Sequence, residues 1–98
     1  MADEINIECG DVVDISRVSE LYQQLSSALE QDGPVTLHAE TVERIDTAGL
    51  QMFVCFIQEV KKRDRVVHWQ APSEALLRSA NYLGLKKILH LNEHNQQE

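Results

Sequence analysis

RIDTAGLQMF, residues 44–53, is the stretch on which the reading of this chain turns. An acid, a hydroxyl, a small residue and a glycine stand in a row ahead of an apolar run. From Leu50 onward, Leu50, Phe53, Val54, Ile57 and Val60 fall at helical spacing. Met52, Cys55 and Phe56 widen that stripe to nearly all sides, which predicts a largely buried helix between a sheet and another helix. Asp46 and Thr47 then lie at its N-terminus, where four backbone N–H groups lack partners. Either side chain can accept from those donors, and Asp46 also complements the positive end of the helix dipole. Gly49, with no side chain, lets the first turn pack close against the sheet or a partner.

The flanking segments alternate between strand and helix patterns. Ile5, Ile7 and Cys9 alternate with polar residues as in a short strand, and Val12–Val13 follow as a second one. Val18, Leu21, Tyr22, Leu25, Ala28 and Leu29 make one helical stripe, with Asp14 or Ser16 able to cap it and Asp32-Gly33-Pro34 ending it. Val35, Leu37 and Ala39 give a strand, and Glu40 to Arg44 a polar connection. After the central helix a strand is expected at Val66–Trp69. Pro72 suits the first turn of a third helix with Leu76, Leu77, Ala80 and Leu83 inside and Gly84 as its stop. Leu85, Ile88, Leu89 and Leu91 form a last short element, and residues 92–98 a polar tail. Strands separated by helices imply a sheet with parallel neighbours and helical cover: an α/β domain spanning residues 1–98, its core about 5–91.

Composition narrows the function classes. The 98 residues are 43% apolar and 26% charged, an ordinary globular balance, and the formal charge is −7. That charge argues against a nucleic-acid binder, which needs positive surface, and against anionic membranes. The basic cluster Lys61, Lys62, Arg63 and Arg65 reads as a solvated helix end. Cys9 and Cys55 are in no metal or redox spacing and sit among apolar neighbours, as buried free thiols do; a disulfide between them is the alternative. The acidic start, Met1 to Glu4, is unlike a signal peptide, and no apolar run approaches the ~20 residues of a membrane span. The expected location is cytoplasmic.

VERIDTAGLQMFVCFIQEV, residues 42–60, resembles the signature of the STAS domain family of sulfate transporters and anti-sigma factor antagonists. The pattern is Asp, then Ser or Thr, a small residue, Gly and an aliphatic residue, between a strand and an apolar helix. WQAPSEALLRSANYLGLKKILHL, residues 69–91, resembles the strand, helix and Gly-Leu ending that follow. The likeness covers residues 5 to 91. It implies a mixed sheet of four or five strands packed with helices, no catalytic activity and no cofactor. It further implies a bacterial signalling role: binding a serine/threonine kinase that is also an anti-sigma factor, or a sensory protein, with phosphorylation of Thr47 breaking the contact. With Thr47 at its centre by that resemblance, the expected partner-binding set is Asp46, Thr47, Ala48, Gly49 and Leu50, joined by Met52 and Phe53 as apolar residues that a half-buried helix would turn outward. Another branch, with Asp-Thr-Ala-Gly, implies a transporter subunit that binds an ABC ATPase maintaining lipid asymmetry. Thr47 replaces the Ser of sporulation-type antagonists. Glu40, Thr41, Glu43 and Arg44 replace the usual small turn residue before the motif, so the partner can differ.

Other chemistries have weaker support. His38, His68, His90 and His94 form no metal set, although His90 and His94 have i, i+4 spacing. A hydrolase using Thr47 would need a base such as His38, and no nucleophile elbow accompanies it. Trp69 reads as a strand or core residue. Met52 and Phe53 are read as either core or exposed contact residues.

Overall fold

A computed structural model describes residues 4–91. The expected polar tail and His94 lie outside the described residues. Chain order is β1 (Ile5–Glu8), β2 (Val12–Val13), α1 (Val18–Leu29), β3 (Val35–His38), β4 (Arg44–Ile45), α2 (Thr47–Lys62), β5 (Val67–Gln70) and α3 (Glu74–Tyr82).

Among the described residues five strands form, split between a three-stranded and a two-stranded sheet, and the three pairings are all parallel where the resemblance implied a mixed sheet. The main sheet has the order β1-β3-β5, and β2 pairs with β4. Register aligns Ile7 with Leu37 and Leu37 with Trp69. This row faces the helices: the Phe53 ring of α2 meets the Trp69 ring edge-on, centroids 5.2 Å apart. By strand alternation, Asn6, Glu8, Thr36, His38, His68 and Gln70 point the other way. The period-two pattern read from β1, β3 and β5 therefore separates a helix-covered face from a polar one. β5 begins one residue later than expected, leaving Val66 exposed.

β4 is absent from the sequence reading because only two residues pair. Main-chain bonds hold it: Glu43 and Arg44 N–H donate to the Asp11 carbonyl at 2.7 and 3.2 Å, and Asp46 N–H to the Val13 carbonyl at 3.1 Å. This small ladder fixes where α2 begins.

The helix ends correct several expectations. Neither Asp14 nor Ser16 caps α1; the N-cap position is Arg17, without a side-chain bond. Asp14 instead braces the preceding turn, accepting from the Ser16 hydroxyl at 2.7 Å and the Ser16 N–H at 3.1 Å. Pro72 lies ahead of α3, whose cap is Ser73, accepting from the Leu76 N–H at 3.1 Å. Gly84 does stop α3: at φ +72° it donates to the Asn81 carbonyl while Leu85 N–H reaches back to Ala80 at 2.8 Å. The last element is a single turn, with Leu89 and Leu91 fully buried and the Trp69 indole N–H donating to the Leu89 carbonyl at 2.8 Å.

Part of the basic cluster is structural rather than solvated. Arg65 donates to the carbonyls of Ala28, Leu29 and Gly33, at 3.0–3.3 Å, and Arg63 to Leu29 at 2.8 Å. Ala28 and Leu29 are the last two residues of α1, a helix with no basic residue in its own last turn, and Gly33 lies in the turn that follows it. A guanidinium spans several acceptors, and its charge suits the negative end of the dipole. Arg65→Ala should therefore lower stability by about 2–3 kcal/mol in denaturant titration, with Arg65→Lys recovering less than half. An unchanged midpoint for Arg65→Ala would mean that these bonds contribute nothing net.

Candidate functional site at the start of α2

Asp46, with extended backbone, is the N-cap of α2, and its Oδ1 accepts from the Gly49 N–H at 3.0 Å. Its other oxygen, Oδ2, accepts from the Ile15 N–H at 3.1 Å, a bond spanning 31 positions in the chain. Of the two cap candidates, the acid fills the role. Thr47 is the first residue of the helix, and it is exposed. Its hydroxyl stands at the mouth of a helix that the neighbouring carboxylate already caps.

The remaining predicted contact residues divide by face. Ala48 and Met52 are half-buried and line an open groove between α1 and α2 of about 460 Å³. Gly49, Leu50 and Phe53 point inward. Leu50 is 1% and Phe53 0% exposed, so neither offers a surface to a partner. The helix is amphipathic with a wide apolar arc, and Phe53 lies at the middle of that arc. The buried character of Gly49 has a steric cause: a Cβ there would meet the Val13 carbonyl oxygen at 2.6 Å.

Two exposed apolar residues beside the site escaped the sequence reading. Ile15 is 73% exposed in the turn between β2 and α1, next to Asp46 through the bond above. No period marks it, although a lone isoleucine in a polar turn is itself a signal. Tyr22 was expected on the inner stripe of α1; it is 61% exposed and walls the groove opposite Met52 and Cys55. Cys55 is an exposed free thiol, against the expectation of burial, because it lies on the groove side of α2. Cys9 is buried as expected, and that burial, with Glu8 and Glu40 nearby, pushes its thiol up to about 12.

Charge in the turn before α1 is mixed, with Arg44 within electrostatic reach of Asp14. The hydrogen bond from the Ser16 hydroxyl holds the Asp14 carboxyl below the usual carboxylate range, so it carries charge near Ile15 at neutral pH. The polar connection Glu40 to Arg44 is exposed except at Val42, and Thr41 donates from its hydroxyl to the Gly10 carbonyl at 3.1 Å. His38 is not a partner for Thr47: its Nε2–H donates to Asn6 Oδ1 at 2.8 Å, on the sheet face turned away from α2. Among the described residues no three His, Cys, Asp or Glu side chains gather as a metal set. No described helix is long and apolar enough to cross a membrane.

Comparison with known proteins places this geometry in context. A family model described as "Mlab, STAS domain" matches residues 2–91. The anti-sigma-B factor antagonist of Staphylococcus aureus (strain NCTC 8325 / PS 47) is 28% identical over 94 residues, covering 94% of this chain and 86% of the relative. That of Staphylococcus epidermidis is 28% identical over 98 residues, covering 98% and 90%. Among solved structures, a sulfate transporter family protein from Wolinella succinogenes superimposes with a TM-score of 0.71 at 18% identity, covering 88% of this chain and 70% of that one. The last likeness concerns the fold alone.

Proposed function

The chain belongs to the STAS domain family, matched across residues 2–91, and on that premise we propose that it is a non-catalytic signalling module of the anti-sigma factor antagonist kind. Its partner is a protein: a kinase-type anti-sigma factor or a sensory protein. The contact surface centres on Thr47 and takes in Asp46, Ala48 and Met52, with Ile15 and Tyr22 at its edge. Phosphorylation of Thr47 switches the contact off.

One observation carries this reading. Thr47 is exposed at the first position of α2 while Asp46 performs the capping. The hydroxyl is thus accessible to a modifying enzyme and is not needed as the cap. A phosphoryl group would bring about −1.5 to −2 charge beside Asp46. The helix N-terminus would tolerate it, but any apolar or acidic partner surface in contact would have to desolvate it. The relatives named anti-sigma-B factor antagonist support this class of partner.

A second reading rests on the tetrad Asp46-Thr47-Ala48-Gly49, which matches the branch that binds an ABC ATPase, and on the description of the matching family. The two separate in one experiment. Tagged full-length protein is purified from its native cells with its partner, and the intact mass of the chain is measured. A kinase-fold or sensory partner, and a fraction of chain heavier by one phosphate on Thr47, supports signalling; an ATPase and no phosphate supports transport.

With the partner in hand, Thr47→Glu should weaken binding at least about tenfold, equivalent to ~1.4 kcal/mol. Thr47→Ala should fold with a loss below about 0.5 kcal/mol, since it is not the cap. Wild-type affinity in both variants would refute the switch.

A further inference from the structure

The Asp46 carboxylate makes two bonds of different kinds. One oxygen holds the Gly49 N–H within its own helix at 3.0 Å, and the other holds the Ile15 N–H of a distant turn at 3.1 Å. Ile15 contributes little to the core, being 73% exposed, yet its backbone is fixed from both sides. Asp14 accepts from the Ser16 N–H at 3.1 Å, and the Asp14 carbonyl accepts from the Arg17 N–H at 2.9 Å. An apolar side chain is thus held outward on a pinned backbone, beside an exposed hydroxyl one residue beyond the pin.

We infer that Asp46 is a positioning residue that presents Ile15 on the Thr47 face, and that negative charge on Thr47 releases Ile15 by acting on the shared carboxylate. The inference rests on the reading of Thr47 as the switched position, but the coupling belongs to the isolated chain.

One physical effect drives it: a negative charge on Thr47, the first helical residue, repels the carboxylate next to it and strains both of its hydrogen bonds. Of the two Asp46 bonds, the one to Ile15 is the weaker held. The Gly49 bond closes a three-residue span inside a packed helix, whereas the Ile15 bond restrains an exposed turn. Losing it frees the turn and blurs the position of the isoleucine. A partner that contacts both Ile15 and Thr47 would then lose an ordered apolar contact as well as meeting the new charge.

The test follows the Ile15 amide by hydrogen exchange in ¹⁵N-labelled full chain, with the Ser16 amide, held by Asp14, as internal reference. Asp46→Ser keeps a short capping oxygen for α2 and lacks the second one. It should speed Ile15 exchange about tenfold while Ser16 changes less. Thr47→Glu should speed Ile15 exchange at least about threefold, and the neutral Thr47→Gln should leave it within about twofold. An Ile15 rate unchanged in Asp46→Ser, or equal rates in the Glu and Gln variants, overturns the inference. A Thr47→Glu chain that loosens Ile15 but binds its partner like wild type upholds the coupling and defeats the switch. The converse result, lost binding with an unmoved Ile15, upholds the switch and defeats the coupling.

Discussion

Phe53→Ala should destabilise the fold by about 3–5 kcal/mol, while Met52→Ala, one residue away, should cost about 1 kcal/mol or less. Phe53 is fully buried and meets Trp69 edge-on, with ring centroids 5.2 Å apart and planes at 68°. Truncation removes that aromatic pair and opens a void between α2 and the sheet, in a core that also holds Leu37 and Leu50. For a domain with a total stability of about 5–15 kcal/mol, such a loss lowers the melting temperature by roughly 15–30 °C. Met52 is half-buried at the groove, so its loss leaves a wetter surface rather than a cavity. Thermal or denaturant unfolding of the two variants reads the difference. Equal small losses would return Phe53 to the candidate contact surface and require α2 to be turned about its axis.

That contrast marks where the sequence was legible. The 3.6-residue period locates α1 and α2, and the period of two locates β1, β3 and β5, because each period follows from backbone geometry. The width of an apolar stripe is not coded so sharply. Phe53 and Met52 are both apolar, and only the packing of α2 against Trp69 on one side and α1 on the other assigns one to the core and one to the groove. Tyr22 fails for the same reason: its spacing is that of the stripe, but it lies at the stripe's edge, where α1 turns to the groove.

Long-range polar contacts were invisible for a different reason. Arg65 reads as one of four cations, yet its guanidinium reaches across 32 to 37 positions to the end of α1. The Asp46–Ile15 bond spans 31. Neither leaves a local pattern. The capping of α2 did, since an acid before a helical stripe has a local physical meaning, and so did the close approach at Gly49.

Gly49→Ala should cost about 3 kcal/mol, against the sign that helix propensity alone gives. In an exposed helix, glycine to alanine stabilises by about 1 kcal/mol. Here the added methyl would lie 2.6 Å from the Val13 carbonyl oxygen, 2.8 Å from Val13 Cγ1 and 3.0 Å from Ile45 Cγ1. Val13 is 1% exposed, and its carbonyl also accepts from the Asp46 N–H at 3.1 Å. The obstructing oxygen is therefore main chain in a paired ladder, with no rotamer to yield. Relief requires α2 to lift from β2 and β4, which stretches the Asp46 bonds and loosens packing behind the first turn. Denaturant unfolding gives the sign directly. The same lift should disturb the Ile15 and Gly49 amides in exchange, so the site suffers along with the fold. A stabilising Gly49→Ala would mean that α2 and the ladder are not in contact at this point, and the placement of Asp46, Thr47 and Ile15 on one face would have to be redrawn.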